Sequence, residues 1–269
     1  MKKALSIAGS DCSGGAGIQA DLKTFSAHGV YGMSVITSVV AENTCKVYEI
    51  ENISPDIVGS QIDAIFEDIE TDAVKIGMLP TADCMAVVAK KLRFYRPKNI
   101  VIDPVMYSKD GSALMDPQSV DIFINEILPL ADVLTPNIPE AERISGIIID
   151  NIESMKKAAK IICQKGCKAV LVKGGHASGD ATDVLFDGEQ FYCFSTARIN
   201  TKNTHGTGCT YSSAIASNLA LGMAVQASVE KAKTYMTTAI KHSLVIGKGF
   251  GPTNHFYDLY KKGEIDYDL

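Results

Sequence analysis

The sequence predicts an α/β fold in which helices cover both faces of a mostly parallel β-sheet. Short apolar segments rich in β-branched residues alternate with longer segments that repeat apolar residues at helical spacing. This alternation is typical of βαβ units, whose strands run parallel to one another. Residues 1–269 show no linker, repeat or low-complexity stretch, and 46% of them are apolar, so we expect one domain with a sizeable core.

The first half of the chain contains four predicted strand–helix pairs. Residues 4–8 form a short apolar strand, and a helix over 16–27 places Ile18 and Phe25 on one face. Pro55 suits the first turn of the second helix. The remaining elements alternate in order, with strands at 35–40, 74–78 and 100–103 and helices at 54–69, 81–95 and 116–127.

The second half continues the pattern and adds two short strands. A helix begins at Asn137 and runs through Glu140, and Gly166 ends the next helix. The other predicted elements are strands at 133–134, 169–173, 182–186 and 190–195 and helices at 152–165, 208–221 and 225–245.

Charge and cysteine content exclude several classes of protein. The net charge is −5 without a block of like charge, which argues against nucleic acid or an anionic membrane as partner. The first apolar stretch is too short for a signal peptide, and no apolar run reaches membrane-spanning length. The seven scattered cysteines suggest neither a disulfide framework nor a zinc ribbon. We therefore expect a reduced cytoplasmic protein.

Polar residues follow the predicted strands at the points where the strands end. In open parallel sheets, ligands bind beyond the carboxyl ends of the strands. Any one of these residues alone could be a cap or a turn, but their common position predicts an active site. They are Asp11, Glu42, Asn43, Asp103, Asn137 and Lys173.

The segment 203–209 predicts a site for an anion. Two glycines flank Thr207, so the backbone can turn tightly and present consecutive N–H groups at the start of a helix. Cys209 lies where the helix dipole would lower the pKa of its thiol. An anion cradle beside such a group suits phosphoryl transfer to an alcohol. The alternative is a simple glycine helix entry with a small buried cysteine.

A dinucleotide site is the rival interpretation of the glycines near the amino terminus. Residues 15–20 fit the pattern G-x-G-x-x-A, but seven residues separate Ala8 from Ala16, and no acidic residue ends a second strand at the usual distance. A Walker A loop is also missing from the sequence. The glycine turn at 206–208 is therefore the best candidate to hold ATP phosphates.

Several segments, in order, resemble the hydroxymethylpyrimidine and phosphomethylpyrimidine kinases of thiamine biosynthesis. They are residues 8–25, 74–79, 101–106, 135–141, 172–176, 200–210 and 248–252. The resemblance runs essentially end to end. It implies a ribokinase-like α/β/α sandwich and a single kinase domain over 1–269. It also implies a homodimer that uses ATP and Mg²⁺.

The activity implied by the resemblance is phosphorylation of 4-amino-5-hydroxymethyl-2-methylpyrimidine and then of its monophosphate. Gly206, Thr207 and Gly208 would form the anion hole, and Cys209 would replace the aspartate that sugar kinases of this fold use as base. A flap over the substrate would span 104–112, with Lys109 and Gly111.

The resemblance assigns further residues to the substrate, the nucleotide and the metal. The substrate-binding positions are Gly9, Asp11, Glu42, Met78 and Val105. Those on the nucleotide side are Asn137, Lys173, Asn203, His205 and Lys241. Asn137 and Glu140 would place Mg²⁺.

Glu42 departs from the family pattern, which has glutamine at this position. A glutamine donates to the ring nitrogen of the pyrimidine and accepts from its amino group, whereas a carboxylate has no donor. The pair forms only if one proton is shared between Glu42 and the ring.

Three other functions compete with this prediction. A pyridoxal or pyridoxine kinase has the same fold, although one such type carries a flap cysteine where Ser108 stands here. A sugar kinase is disfavoured by Cys209. A non-catalytic nucleotide-binding regulator would tolerate loss of Cys209 or Asn137, and both are present.

Overall fold

The computed structural model describes residues 1–108, 111–175 and 179–263. Within them, nine strands form one sheet in the order β3-β2-β1-β4-β5-β6-β7-β8-β9. The strands are β1 (Lys3–Asp11), β2 (Tyr31–Glu42), β3 (Val47–Asn52), β4 (Ala73–Ile76), β5 (Ile100–Ile102), β6 (Val133–Leu134), β7 (Ala169–Val172), β8 (Ala181–Phe186) and β9 (Phe191–Thr196). The helices are α1 (Gly17–Ala27), α2 (Pro55–Phe66), α3 (Ala82–Tyr95), α4 (Val120–Ile122), α5 (Ile138–Ser145), α6 (Ile152–Cys163), α7 (Thr207–Ala220), α8 (Val225–Lys241) and α9 (Tyr257–Lys262).

The middle of the sheet is parallel and its margins are antiparallel. Strands β2, β1, β4, β5, β6 and β7 pair in parallel, whereas β3, β8 and β9 pair antiparallel at the two edges. The prediction of a mostly parallel sheet is confirmed. Parallel strands need crossover connections, and here those connections carry helices to both faces.

Apolar side chains fill both faces of the sheet. One core packs residues of α2, α3 and α6 against strand residues such as Ile7 and Ile76. The other packs α1, α7 and α8 against Ala4, Val101 and Leu171. Successive strand residues point to opposite faces, so the buried apolar residues of the central strands serve both cores. The result is the α/β/α sandwich that the sequence predicts.

The structure departs from the predicted elements in five places. Strand β3 was not predicted, because it lies at the exposed edge of the sheet and its sequence mixes charged with apolar residues instead of forming an apolar run. Strand β2 extends beyond 35–40 at both ends, and α8 ends at Lys241 instead of 245. The predicted helix 116–127 is a succession of short 3₁₀, α and π turns that continues to Leu130. The short helix α9 was also missed.

Within the described residues, none of the helices is both long enough and apolar enough to cross a membrane.

Candidate active site

A cavity of about 840 Å³ opens at the carboxyl edge of the sheet. Thirteen of the predicted site residues line it, which are Gly9, Asp11, Glu42, Met78, Val105, Asn137, Glu140, Lys173, His205, Gly206, Thr207, Gly208 and Cys209. The flap residue Lys109 lies outside the described residues. The clustering follows from the topology, because the carboxyl ends of β1, β2, β4, β5, β6 and β7 lie along one edge.

The turn before α7 has the backbone that an anion cradle needs. Gly206 precedes the first residue of α7 and adopts φ 74°, in the left-handed region that favours glycine. A Cβ at Gly206 would lie 1.7 Å from the carbonyl oxygen of Gly15, so no other residue fits. No side chain caps the helix start. The Thr207 amide donates to the Thr204 carbonyl at 3.4 Å, which leaves the amides of Gly208 and Cys209 for an anion in the cavity.

Cys209 lies in the first turn of α7, half-buried in the cavity wall. The sequence predicted a lowered thiol pKa at this position, and that prediction is wrong. Desolvation by the surrounding protein raises the pKa of Cys209 to about 11, although the nearby charge of Lys75 and a hydrogen bond from the Gly17 N–H oppose the rise. The loss of hydration outweighs the helix dipole, so the resting group is a neutral thiol at pH 7.

Asp11 is committed to bonds within the protein. Its Oδ2 accepts hydrogen bonds from the amides of Gly15 (2.9 Å) and Ala16 (2.7 Å), and its Oδ1 accepts one from Ser13 (2.7 Å). The ring of His205 donates a fourth bond through Nε2, 2.9 Å from Oδ2. Burial opposes ionisation of Asp11, but these hydrogen bonds outweigh it and hold its pKa well below the usual range.

The assignment of Asp11 to the substrate stays a prediction. A carboxylate has about four acceptor positions, and protein donors occupy as many at Asp11. The bonds show that Asp11 shapes the glycine loop after β1 and fixes His205. Nε2 of His205 must carry the proton in this pair, since an ionised carboxylate only accepts.

Lys173 lies at the end of β7 and is paired inside the cavity. Its Nζ lies 2.6 Å from Oδ1 of Asp103, which also accepts a bond from Thr135. Burial works against the charge on Lys173, but the carboxylates of Asp103 and Glu140 outweigh it and raise the pKa of the ammonium group. A fixed positive charge therefore faces the space in front of α7.

Asn137 and Glu140 form a capping box at the start of α5. The Asn137 side chain accepts from the Glu140 amide (2.9 Å), and the Glu140 side chain accepts from the Asn137 amide (2.8 Å). Desolvation raises the pKa of Glu140 to about 7, with Lys173 opposing and Asp103 adding to the rise. The box explains the local fold, and it holds a nearly buried carboxyl group in the cavity wall, within reach of the charge on Lys173.

The wall at the end of β1, β2 and β4 combines apolar groups with the acid Glu42, next to Asp11. Gly9 lies so close to Met78 that a Cβ would be 2.9 Å from the methionine sulfur. Glu42 ends β2 at a register shift, and its carbonyl oxygen accepts a bond from the Cys12 thiol at 3.1 Å. One side-chain oxygen of Glu42 lies within 4.8 Å of ligand atoms of both Asp11 and His205. Glu42 therefore sits in the cavity beside a hydrogen-bonded pair.

Two predicted nucleotide residues do not line the cavity. Asn203 is buried, and its Oδ1 accepts a bond from the Gly251 amide at 3.1 Å, so it anchors the carboxyl-terminal segment. Lys241 is the exposed last residue of α8. The residue before it, Ile240, lines the cavity, and one step along a helix turns the next side chain by about 100°.

Sequence reasoning missed Lys75 and Asp21, two charged residues with no exposed surface. Nζ of Lys75 lies 2.8 Å from Oδ2 of Asp21, and both side chains are fully buried. Lys75 contributes to the cavity wall. The signal was present, because a lysine between Val74 and Ile76 interrupts a buried apolar strand and needs a buried partner.

Comparisons with known proteins agree on one family. A family profile described as phosphomethylpyrimidine kinase matches residues 11–254. The hydroxymethylpyrimidine/phosphomethylpyrimidine kinase of Rhizobium meliloti is 50% identical over 262 residues, which cover 96% of this chain and 98% of that protein. The bifunctional thiamine biosynthesis protein of Geobacter sulfurreducens is 48% identical over 93% of this chain, which spans 51% of that longer protein.

Solved structures of two activities share the fold. The phosphomethylpyrimidine kinase of Clostridium difficile is 48% identical, with a TM-score of 0.81 over 90% of this chain and 100% of that chain. An ADP complex of Bacillus subtilis pyridoxal kinase is 41% identical, with a TM-score of 0.88 over 95% of this chain and 98% of that chain.

Proposed function

The chain belongs to the phosphomethylpyrimidine kinase family, and from this premise we propose that it transfers phosphoryl groups from ATP to a pyrimidine alcohol. The acceptor is the hydroxymethyl group of 4-amino-5-hydroxymethyl-2-methylpyrimidine, and then the monophosphate formed from it. The observation that carries the proposal is that the amides of the Gly206 turn and the acid Glu42 face one cavity. A phosphate donor and a polar heterocycle can therefore meet there.

The chemical step exchanges one P–O bond for another. The acceptor oxygen attacks the terminal phosphorus of ATP, its O–H proton passes to the thiolate form of Cys209, which becomes the thiol, and the bond to the leaving ADP oxygen breaks. The amides at the start of α7 hold the oxygens of the transferred group. Lys173 adds a fixed positive charge on the nucleotide side.

Proton transfer and positioning contribute unequally. With a pKa of about 11, Cys209 is a strong base, but only about one thousandth of it is thiolate at pH 8. Because a loose phosphoryl transition state demands little activation of the attacking oxygen, alignment by the amides supplies most of the acceleration.

The residues at the start of α5 fit a Mg²⁺ ion. A hard divalent cation prefers oxygen ligands, and the nearly buried Glu140 carboxyl lines the cavity next to Asn137. Glu140 would hold the ion, and Asn137 would contribute through water, since its amide oxygen already caps α5. When bound, Mg²⁺ neutralises charge on the ATP phosphates.

The function is tested by ADP release with a panel of acceptors. The pyrimidine alcohol and its monophosphate should both support turnover, and ribose should not. If neither the pyrimidine alcohol nor its monophosphate leads to ADP release, the proposal is contradicted. A catalytically silent nucleotide-binding protein would bind ATP but give this result.

Pyridoxal phosphorylation is the second candidate. The observation that favours it is the TM-score of 0.88 with a pyridoxal kinase. Ser108, which lines the cavity, stands where one pyridoxal kinase type has a flap cysteine, and this weakens the alternative. We expect kcat/KM to be higher for the pyrimidine alcohol than for pyridoxal or pyridoxine, and the reverse order would make pyridoxal the preferred substrate.

We also propose that residues 1–269 act as one domain within a homodimer. Val39 on β2 and Tyr48 on the neighbouring edge strand β3 expose apolar surface, which supports an interface at this edge. Light scattering coupled to gel filtration should give twice the chain mass. Replacement of Tyr48 with glutamate should give a monomer.

A further inference from the structure

The buried ion pair Lys75–Asp21 lies against the amino-terminal half of α7, where Asp21 contacts Ser213. Strand β4 carries Lys75, helix α1 carries Asp21, and α7 packs on both elements. The Oδ1 atom of Asp21 accepts a hydrogen bond from Ser213 at 2.7 Å. Ser213 follows Cys209 by four residues, so the two side chains share one face of α7. The pair is therefore attached to the face that carries Cys209.

The local packing places the ammonium group of Lys75 toward the cavity. Gly77 leaves space for it, because a Cβ at that position would lie 2.8 Å from Nζ. Asp21 holds the other side of Nζ and is itself fixed by Ser6 at 2.5 Å. Lys75 thus contributes a positive charge with a single defined position in the cavity wall.

A purely structural account of this pair is weak. Taking two charges out of water costs several kcal/mol per ion, and apolar residues of equal volume often serve stability as well. The neighbouring strand residues Val74 and Ile76 are fully buried apolar side chains of that kind. The charge at position 75 therefore calls for a role in the chemistry above it.

We propose that Lys75 is a positioning residue for the negative charge on Cys209: held by Asp21, its ammonium group stabilises the thiolate that accepts the substrate proton. This inference rests on the proposed function for the identity of that proton. Lys75 touches neither reacting oxygen nor phosphorus in this account, and it acts through the sulfur of Cys209.

The groups that act on the pKa of Cys209 come from four parts of the fold, and their charges determine how each substitution should change that pKa. Lys75 lowers the pKa of the thiol against the larger effect of desolvation, whereas Asp21 and Asp103 raise it. The groups that face Cys209 are Lys75 on β4, Asp21 and the Gly17 amide on α1, Asp103 after β5 and Lys173 at the end of β7. Removing Lys75 therefore makes the thiolate rarer, and removing Asp21 makes it more abundant.

The test measures the thiolate directly, by alkylation of the full chain with iodoacetamide between pH 7 and 10. Peptide mass spectrometry follows Cys209 and uses the exposed Cys193 as internal reference. At pH 9 we expect Lys75→Met to slow alkylation of Cys209 about tenfold, the effect of one pKa unit. Asp21→Asn should accelerate it. A merely structural role would not give opposite changes.

Two further variants keep the result interpretable. Lys75→Met/Asp21→Asn removes both charges, so it should fold even if Lys75→Met alone does not, and its Cys209 should still react more slowly than in the parent. Lys233→Met/Asp183→Asn removes a matched buried pair on the nucleotide side, where Nζ and Oδ2 are 2.7 Å apart, and should leave alkylation of Cys209 unchanged.

Parental alkylation in Lys75→Met, or in the double variant if the single does not fold, overturns the proposal. The pH profile of kcat separates this failure from failure of the proposed function. If Lys75→Met changes alkylation but not the pH profile of the pyrimidine kinase reaction, the electrostatic role stands and Cys209 is not the base. If both change together, the ammonium group supports the catalytic thiolate.

Discussion

Nε2 of His205 donates to Oδ2 of Asp11 across 2.9 Å, joining two residues that are 194 positions apart in the chain. The bond ties the glycine loop after β1 to the turn that begins α7. Because Asp11 also accepts three loop amides, one carboxylate sets the positions of both segments. The shape of the anion cradle therefore depends on a residue that need not touch the anion.

Asp11→Ala should destabilise the fold and lower activity together. It leaves three amides and His205 without their acceptor, and each unpaired buried group costs about 1–3 kcal/mol. Because the pKa of Asp11 is lowered in the folded state, its stabilisation is complete above the unfolded pKa of about 3.9 and is lost as pH falls through the folded value. Urea unfolding at pH 7 and at pH 3 measures the loss of stability and its pH dependence, and ADP release at pH 7 measures the loss of activity. The exposed Asp121→Ala is the control, and equal stability of the two variants would contradict the role of Asp11.

Cys209→Ala should lower kcat for the pyrimidine alcohol by about 10²-fold, within the range of general-base effects. The melting temperature and ATP binding should change little, because a small side chain is replaced by another. Since the folded thiol has a pKa of about 11, the Cys209-dependent part of kcat should rise from pH 7 to 10. Cys209→Asp should retain more activity than Cys209→Ala. A parental kcat in Cys209→Ala would contradict the role of Cys209 as base and leave the amides as the only catalytic groups at this end of the site. Cys193→Ala, at an exposed cysteine, is the control and should keep the parental kcat.

Glu42→Gln should keep pyrimidine kinase activity, and Glu42→Leu should raise KM sharply. The amide can donate to the ring nitrogen and accept from the amino group, whereas leucine leaves both unpaired at about 1–3 kcal/mol each. Steady-state kinetics with the pyrimidine alcohol check the difference, and Glu49→Gln on the exposed strand β3 is the control. Equal KM values for Glu42→Leu and the parent would remove Glu42 from substrate recognition.

Glu140→Gln should raise the Mg²⁺ concentration needed for half-maximal activity while keeping the helix cap. Its amide oxygen can still accept from the Asn137 amide, so the charge alone is lost. Glu140→Ala loses both the charge and the hydrogen bond from the Asn137 amide, and it should also cost about 1 kcal/mol of stability. Mg²⁺ titrations and urea unfolding distinguish the two variants. An unchanged Mg²⁺ requirement in Glu140→Gln would leave Glu140 as a capping residue only.

The raised pKa of Glu140 also predicts a pH dependence of stability. The folded carboxyl keeps its proton up to a pKa of about 7, whereas the unfolded one loses it near 4.3. The folded state therefore binds more protons in this window, and stability falls as pH rises through it. Without Mg²⁺, the parent should lose stability from pH 5 to 8, and Glu140→Gln should lose less.

The sequence was sufficient for the alternating elements and for the edge of the sheet where the site lies. Buried apolar strands such as Val74–Ile76 and glycine signals such as Gly206 depend on local chemistry, so their pattern is visible along the chain. The ionisation of Cys209 was not predictable, because it depends on desolvation and on Lys75 and Asp21, which come from other elements. The bonds of Asp11 depend in the same way on the packing of distant segments.

The contact between Gly206 and Gly15 has a consequence for how the protein becomes active during synthesis. The carbonyl of Gly15 leaves no room for a side chain at Gly206, so the cradle is complete only when α7 has docked against a loop made almost two hundred residues earlier. A nascent chain that has emerged only as far as β7 lacks the amides that we propose to bind phosphate. Translation must therefore pass α7 before the chain can form the proposed cradle, and a product truncated before α7 would lack it.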